Sequence, residues 1–164
     1  ETPRPLNPSM KIKNILTQQM TQCGIPGGSK KRVLENLSTF VTEQLGGDSD
    51  QADSLFHNLV ARERLGSTGI GEGVAIPHCR VAGFNRIHGC LIKLDNAIDF
   101  GALDDQPVDL IFALIVPEEQ NEEHLATLAR IAVIMQDDSS RASLRQCTSS
   151  EELYTTALQL ERAA

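Results

Sequence analysis

Apolar residues recur every three or four positions in two early segments of the chain, which predicts two amphipathic helices. The first helix starts after Ser29, a favourable N-cap residue, and ends at the pair Gly46–Gly47. Asp50 caps the second helix, which runs to about Leu65 before Gly66 ends it. The apolar residues that form the two inward faces are Val33, Leu34, Leu37, Phe40, Val41 and Leu45, then Ala52, Leu55, Phe56, Leu59 and Val60.

The middle of the chain has patterns typical of β-strands. Residues 74–76 form a short apolar strand that Pro77 ends. Residues 86–94 alternate between two faces, and we expect Asp95–Asn96 to follow them as a turn. Residues 108–116 are almost continuously apolar, rich in β-branched side chains and bounded by prolines. Such a run predicts a central, buried strand.

Helical periodicity returns after that strand. Residues 121–123 combine an N-cap residue with acidic residues, so a helix should begin there and bury side chains as far as Met135. We expect a shorter helix from Ser139 to Gln146, and Ser149 with Glu152 resembles a capping box opening a last helix. Helices before and after the strands of a mixed, mostly short-stranded sheet predict an α/β or α+β sandwich.

Length and charge limit the class of protein. A chain of 164 residues, 40% hydrophobic and 23% charged, is typical of one globular domain. We assign that domain to residues 10–164 and expect residues 1–9 to be a flexible lead or an expression remnant. The net charge of −7 argues against nucleic acid and anionic membranes as partners. No apolar run approaches the length that membrane insertion needs.

The four cysteines (Cys23, Cys79, Cys90 and Cys147) are widely spaced and include no Cys-x-x-Cys pair. This spacing predicts neither a zinc site nor a disulfide framework. It is typical of reduced cysteines in a cytoplasmic protein. We therefore predict no metal.

A small-residue loop leads directly to His78. Glycines occupy alternate positions in residues 69–73, where they let main-chain N–H groups approach a ligand closely. Pro77 then ends the short strand, so His78 should lie at the lip of the sheet beside a loop of free amides. Such a place suits a phosphoryl group. By contrast, we expect His57 to lie on a helix surface and His88 to be structural.

His124 is the second candidate histidine. It should lie in the first turn of the helix after the central strand, where the helix dipole favours an anion and a neutral imidazole. A neutral imidazole is what a histidine nucleophile requires. We expect His124 to share the stabilisation of a phosphoryl group with amides of the loop, which contains Ser67, Thr68, Gly69 and Gly71.

Other site chemistries fit less well. Cys79 follows His78, but adjacent residues on an extended chain point to opposite faces, which disfavours a Cys–His pair. The two candidate histidines lack further metal ligands at sensible spacing. The glycines match neither the nucleotide P-loop nor the dinucleotide fingerprint.

The segment from Arg62 to His78, RERLGSTGIGEGVAIPH, resembles the signature of IIA components of the phosphoenolpyruvate-dependent phosphotransferase system, in the fructose, mannitol and nitrogen-regulatory group. The resemblance continues through residues 106–117 and 124–129, and covers roughly residues 10 to 160. Gly-Ser-Thr-Gly-Ile-Gly and Asp-Gln-Pro-Val-Asp-Leu are most similar to the nitrogen-regulatory type.

The resemblance implies a mixed five-stranded sheet flanked by helices. It also implies that His78 accepts a phosphoryl group on a ring nitrogen from a histidine-containing phosphocarrier protein. His124 would contact that group, and Arg62 would support the site. The chain would then be a cytoplasmic phosphotransferase with a phosphohistidine intermediate and no cofactor, regulating nitrogen-related targets through its phosphorylation state.

Two alternatives remain open at this point. The chain could be the IIA component of a fructose- or mannitol-type sugar transporter, or a regulatory binding module without phosphotransfer. In either transfer role the donor must dock, so we expect a shallow apolar surface around the site, lined in part by neighbours of Val74 and Ile76. Cys79 departs from the glycine or alanine common in the family, and its oxidation could make the site redox-sensitive.

Overall fold

The computed structural model of the chain describes residues 11–119 and 123–163. The expected lead at residues 1–9 lies outside the described residues, as do the first two positions of the helix start expected at 121–123. The helices are α1 (Ile12–Ile15), α2 (Lys30–Gln44), α3 (Ser49–Arg64), α4 (Glu123–Gln136), α5 (Asp138–Arg145) and α6 (Ser150–Ala163), with a 3-10 turn at Gln18–Met20. The strands are β1 (Thr21–Ile25), β2 (Gly69–Gly71), β3 (Val74–Ala75), β4 (His78–Val81), β5 (His88–Ile98) and β6 (Val108–Pro117).

One mixed sheet organises these elements, in the order β1-β5-β6-β3-β2, with β4 also paired to β6. β5 runs antiparallel to β6, whereas β3 and β4 run parallel to it. Strand β6 is buried along its length apart from Asp109, which is partly exposed. The prediction of a central buried strand at residues 108–116 is therefore confirmed, as is the fold class of a mixed sheet with flanking helices.

The sheet has six strands among the described residues, one more than the resemblance implied, because Pro77 divides one strand position in two. Ala75 of β3 lies opposite Ile111 of β6, and His78 of β4 lies opposite Leu114. Between them, the Leu114 N–H donates to the Pro77 carbonyl at 2.8 Å. β3 and β4 thus pair one after the other with β6, and His78 is the first residue of β4.

The capping prediction for α2 is confirmed and that for α3 is wrong. The Ser29 hydroxyl accepts a hydrogen bond from the Arg32 N–H at 3.1 Å. The N-cap of α3 is Asp48, not Asp50. The Asp48 carboxylate accepts from the Gln51 N–H at 2.9 Å, and the Gln51 side chain accepts from the Asp48 N–H at 3.0 Å. This reciprocal capping box satisfies two helix-end donors, so the helix starts earlier than expected.

One strand was not predicted, and two other expectations are corrected. β1 was not predicted, because Gly24 within its five residues is typical of a chain break. The turn expected at Asp95–Asn96 is absent, since β5 continues to Ile98. The glycine-rich stretch is not an open loop: β2 pairs antiparallel with β3, and the chain reverses through Glu72 and Gly73, whose φ angles are +57° and +79°. There the glycines permit a tight hairpin.

Candidate functional site

His78, the first residue of β4, has both ring nitrogens engaged. Its Nδ1 lies 2.8 Å from the Ile76 carbonyl oxygen, and the Arg62 Nε–H donates to its Nε2 at 3.3 Å. A carbonyl can only accept, so Nδ1 carries the proton and Nε2 carries the lone pair. The backbone therefore selects the tautomer in which Nε2 is the nucleophilic atom.

Burial and neighbouring charge keep this ring neutral. Burial is the largest cause and lowers the pKa of His78 below its usual 6.5, and the cationic Arg62 and the nearby His124 lower it further. The hydrogen bond to Ile76 and the carboxylate of Glu63 act in the opposite direction without reversing the result. The ring thus remains available as a nucleophile at neutral pH.

Arg62, in the last turn of α3, is held in position by the chain that follows the helix. Its Nη1 donates to the Gly66 carbonyl at 2.8 Å, while its Nε faces His78. His124, in the first turn of α4, is buried and lies close enough to influence the His78 pKa. The structure thus brings together the three residues expected to act on the phosphoryl group. They line a cavity of about 460 Å³ with Asn58, Ala61, Leu65, Cys79, Arg80 and Val116.

The expected amide cradle receives no support from the contacts of the loop. The Thr68 N–H donates to the Glu63 carboxylate at 3.1 Å, and the Gly69 N–H donates to the Ser67 hydroxyl at 3.0 Å. Gly71 lies in the hairpin strand, facing Asp104. None of these residues lines the cavity of His78. What this segment supplies to the site is the Gly66 carbonyl that orients Arg62.

An ion pair between the buried Glu63 carboxylate and the partly exposed Lys30 ammonium, which sequence reasoning missed, supports residues 67 and 68. The Glu63 side chain is only 6% exposed and accepts from the Lys30 ammonium at 2.8 Å as well as from Thr68. Lys30 also donates to the Phe100 carbonyl at 3.1 Å, which accepts from the Ser67 hydroxyl at 2.8 Å. Residues 67 and 68 are therefore tied to α2, α3 and the chain after β5. Apart from the bond between Thr68 and Glu63, these contacts join residues far apart in sequence, so no local pattern indicated them.

Replacing Glu63 with alanine should destabilise the protein by about 2 kcal/mol, because it removes charge-assisted hydrogen bonds to Lys30 and Thr68. Urea unfolding followed by circular dichroism measures this change. The matched control is Glu35→Ala, which removes an exposed glutamate from α2 and should have little effect. Equal midpoints for the two variants would contradict the supporting role of Glu63.

The exposed apolar side chains around His78 do not come from residues 74–76, the segment that precedes it. Val74 and Ile76 are 0% and 4% exposed and belong to the core. Leu65 is 85% exposed and lines the cavity, and Leu125, directly after His124, is 54% exposed. A partner that approaches His78 would therefore meet apolar side chains from the ends of two helices.

Cys79 is buried behind the site. It is 7% exposed, and burial raises its pKa to about 12. A thiol that remains protonated and covered reacts slowly with oxidants. The expectation that Cys79 makes the site redox-sensitive therefore loses its physical basis.

The described residues offer neither a cluster of metal ligands nor a membrane-spanning helix. Within residues 11–119 and 123–163, no three histidine, cysteine or acidic side chains gather as metal ligands would. In the same ranges no helix has both the length and the apolar character to cross a membrane. His57 is exposed with Nδ1 2.7 Å from the Asp53 carbonyl, and His88 is buried in β5. Neither lines the cavity of His78.

Residues 14–159 match the family model described as "Phosphoenolpyruvate-dependent sugar phosphotransferase system, EIIA 2". The chain belongs to this family. Members of the EIIA family are phosphotransfer proteins, so the chain is of a phosphotransferase kind.

Relatives of this EIIA protein include several called nitrogen regulatory protein. The one from Pseudomonas aeruginosa is 43% identical over 152 residues, which cover 93% of this chain and 97% of that protein. The one from Escherichia coli is 39% identical and covers 89% of this chain and 88% of its own. The crystal structure of nitrogen regulatory protein IIA-Ntr from Neisseria meningitidis superposes with a TM-score of 0.81 at 39% identity, covering 89% of this chain and 98% of that one. The nitrogen-regulatory resemblance is therefore confirmed.

Proposed function

We propose that this EIIA-family protein is a phosphoryl carrier that accepts a phosphoryl group on Nε2 of His78. The donor is a histidine-containing phosphocarrier protein, and the phosphorylation state regulates nitrogen-related targets in the cytoplasm. The observation that carries this proposal is the hydrogen bonding of His78. The Ile76 carbonyl holds the proton on Nδ1, so the lone pair lies on Nε2, where Arg62 donates to it. His78, Arg62 and His124 line the same cavity.

The reaction is an in-line transfer between two imidazoles. The Nε2 lone pair of His78 forms a bond to phosphorus while the bond from phosphorus to the donor nitrogen breaks, and the electron pair returns to the donor ring. The exchange needs neither metal nor nucleotide, because the bonds formed and broken are of one kind. The Arg62 guanidinium and the His124 ring stabilise the charge on the equatorial oxygens.

Arg62 must change partner during this transfer. In the resting site its Nε–H occupies the lone pair that attacks phosphorus. An incoming phosphoryl group offers the same guanidinium a more strongly charged acceptor, so Arg62 exchanges a nitrogen acceptor for phosphoryl oxygens. The Gly66 carbonyl can hold Nη1 throughout this exchange, because it binds a different nitrogen.

The proposal is tested by incubating the protein with phosphoenolpyruvate, enzyme I and the phosphocarrier. Intact mass should show one phosphoryl adduct that survives alkali and is lost in acid, and nitrogen-15 NMR should place it on Nε2 of His78. The matched control, His57→Ala, changes an exposed histidine and should be labelled normally. An acid-stable adduct, or one on Nδ1, would overturn the assignment.

A transporter role is the second candidate. A fructose-specific EIIABC component from Bacillus subtilis is 28% identical over 144 residues, and the match covers 22% of that longer protein. The nitrogen regulatory proteins are more similar and are matched over most of their own length. We therefore favour regulation over sugar transport.

Acid should inactivate His78 only below the pH at which an ordinary histidine protonates. Burial and Arg62 favour the neutral ring, so the proton binds as the pH falls through a value below 6.5. Proton NMR of the His78 ring measures the midpoint directly, with a short histidine-containing peptide as reference. A midpoint at or above that of the peptide would contradict the role of burial.

Replacing His124 with alanine should slow transfer to His78 by about 10²-fold, a typical cost of removing one donor to transition-state charge. Labelling should still reach completion, since the nucleophile is unchanged. Rapid-quench measurement of a single transfer separates rate from extent. A normal rate for His124→Ala would mean that His124 does not contact the phosphoryl group.

A further inference from the structure

The four cysteines differ in their exposure. Cys79 and Cys90 are buried, and burial raises the pKa of each to about 12. Cys147 is also buried, whereas Cys23 is partly exposed. Cys23 lies on β1, at the edge of the sheet, where reagents can approach it from solvent. It is therefore the cysteine best placed to react first.

Cys23 contacts Cys147, which lies between α5 and α6. The Cys23 thiol donates to the Cys147 carbonyl at 3.5 Å, and the Cys23 N–H donates to the Ser150 hydroxyl at 3.1 Å. The Cys147 thiol donates to the Ser143 carbonyl at 3.4 Å. Burial is the largest cause that raises the pKa of Cys147; a hydrogen bond with Thr156 acts in the opposite direction, and Glu152 and, least of all, Cys23 raise the pKa further. The Cys23 sulfur therefore lies against the backbone of the residue that carries the second thiol.

A positive charge lies beside this pair. Lys93 is the β5 partner of Cys23, and its ammonium donates to the Cys147 carbonyl at 2.7 Å and to the Arg145 carbonyl at 2.6 Å. The pairing of β1 is irregular between Cys23 and Ile25, so the backbone is not held there by a continuous ladder.

We propose that Cys23 and Cys147 form a reversible intramolecular disulfide by exchange with a low-molecular-weight disulfide such as oxidised glutathione. The Cys23 thiolate attacks one glutathione sulfur and releases the first glutathione thiolate. The Cys147 thiol then attacks the Cys23 sulfur, and its proton goes to the second glutathione, which leaves as a thiol. Two protein thiols are oxidised and one external disulfide is reduced to two thiols, so electrons balance.

The bond joins β1 to the connection between α5 and α6, which is distant in sequence. For the bridge to form, the Cys23 sulfur leaves the carbonyl oxygen of Cys147 and meets the sulfur of the same residue. Neither cysteine lines the cavity of His78. The disulfide is thus independent of the proposed phosphoryl transfer, and failure of one does not imply failure of the other.

The test treats the folded full chain with oxidised glutathione, blocks remaining thiols with N-ethylmaleimide, and maps the products by mass spectrometry. We expect a linked peptide pair containing Cys23 and Cys147, and a protein that has lost two hydrogens. Cys147→Ser should instead retain one glutathione on Cys23. Cys23→Ser should resist modification, because Cys147 is covered.

The control is the double variant Cys79→Ser with Cys90→Ser, which retains only the proposed pair and should form the bond as wild type does. Should that variant fail to fold, wild-type peptide mapping still identifies the linked cysteines. A glutathione that stays on Cys23 of the wild-type protein would overturn the proposal. A disulfide between the Cys23 residues of two molecules would also overturn it. So would glutathione attachment to Cys23→Ser at the wild-type level.

Discussion

Replacing His78 with alanine should reduce phosphoryl transfer to the background of the assay. The variant lacks the nitrogen that bonds to phosphorus, and no other described histidine lines the cavity except His124. Intact mass after incubation with phosphoenolpyruvate, enzyme I and the phosphocarrier measures the loss. Because His78 begins a strand paired to β6, circular dichroism must show that the variant is folded.

The control for this change is His57→Ala, which removes a histidine that is exposed and lies outside the cavity. It should be labelled at the wild-type rate. His78→Gln tests the same point with a side chain that keeps polarity but cannot carry the phosphoryl group. Labelling of either His78 variant at the wild-type level would refute His78 as the acceptor.

Replacing Arg62 with alanine should slow transfer by about 10³-fold, in the range measured for arginines that stabilise phosphoryl transition states. The guanidinium is fixed by Gly66 and already faces Nε2 of His78, so little reorganisation is needed to reach the phosphoryl oxygens. Its removal also takes away a cause of the lowered His78 pKa. Rapid-quench single transfers give the rate, and NMR gives the pKa.

Two variants make this result specific to Arg62. Arg62→Lys keeps the charge but not the planar, forked geometry, so it should recover only part of the rate. Arg64→Ala removes an exposed arginine from the same helix and should transfer almost normally. If Arg62→Ala and Arg64→Ala slow transfer equally, the effect reflects the general charge of α3 and not the contact with His78.

The parts of the fold that burial dictates could be predicted from the sequence. The apolar run at residues 108–116 and the periodic faces of α2 and α3 identified a central strand and two helices, because each pattern reflects the side that is buried. β1 was missed, since its pairing with β5 is a long-range property of a five-residue strand. Asp48 was missed in favour of Asp50. Both positions carry aspartate, which is a good N-cap residue, and only the reciprocal hydrogen bonds with Gln51 show that Asp48 is the cap.

Only some of the candidate site residues could be predicted from the sequence pattern alone. His78 could be singled out from its own neighbourhood, and the start of a helix after the central strand indicated His124. Arg62 entered only through the family signature. Hydrogen bonds to the backbone, such as that from Arg62 to Gly66, depend on how the chain folds back after α3. The amide cradle was inferred from glycines whose structural use is a hairpin instead.

The break between β3 and β4 at Pro77 affects how the backbone of His78 fluctuates. His78 is paired with Leu114 in the most buried strand of the sheet, and the Leu114 N–H is bonded to Pro77 itself. Exposing the His78 backbone therefore requires β4 to separate from β6, the most buried strand of the sheet. In hydrogen–deuterium exchange the amide of Leu114 should be among the slowest, and exchange there should approach the rate set by global unfolding. His78 is then a rigid reference point, and in the proposed transfer Arg62 and the incoming donor adjust to it.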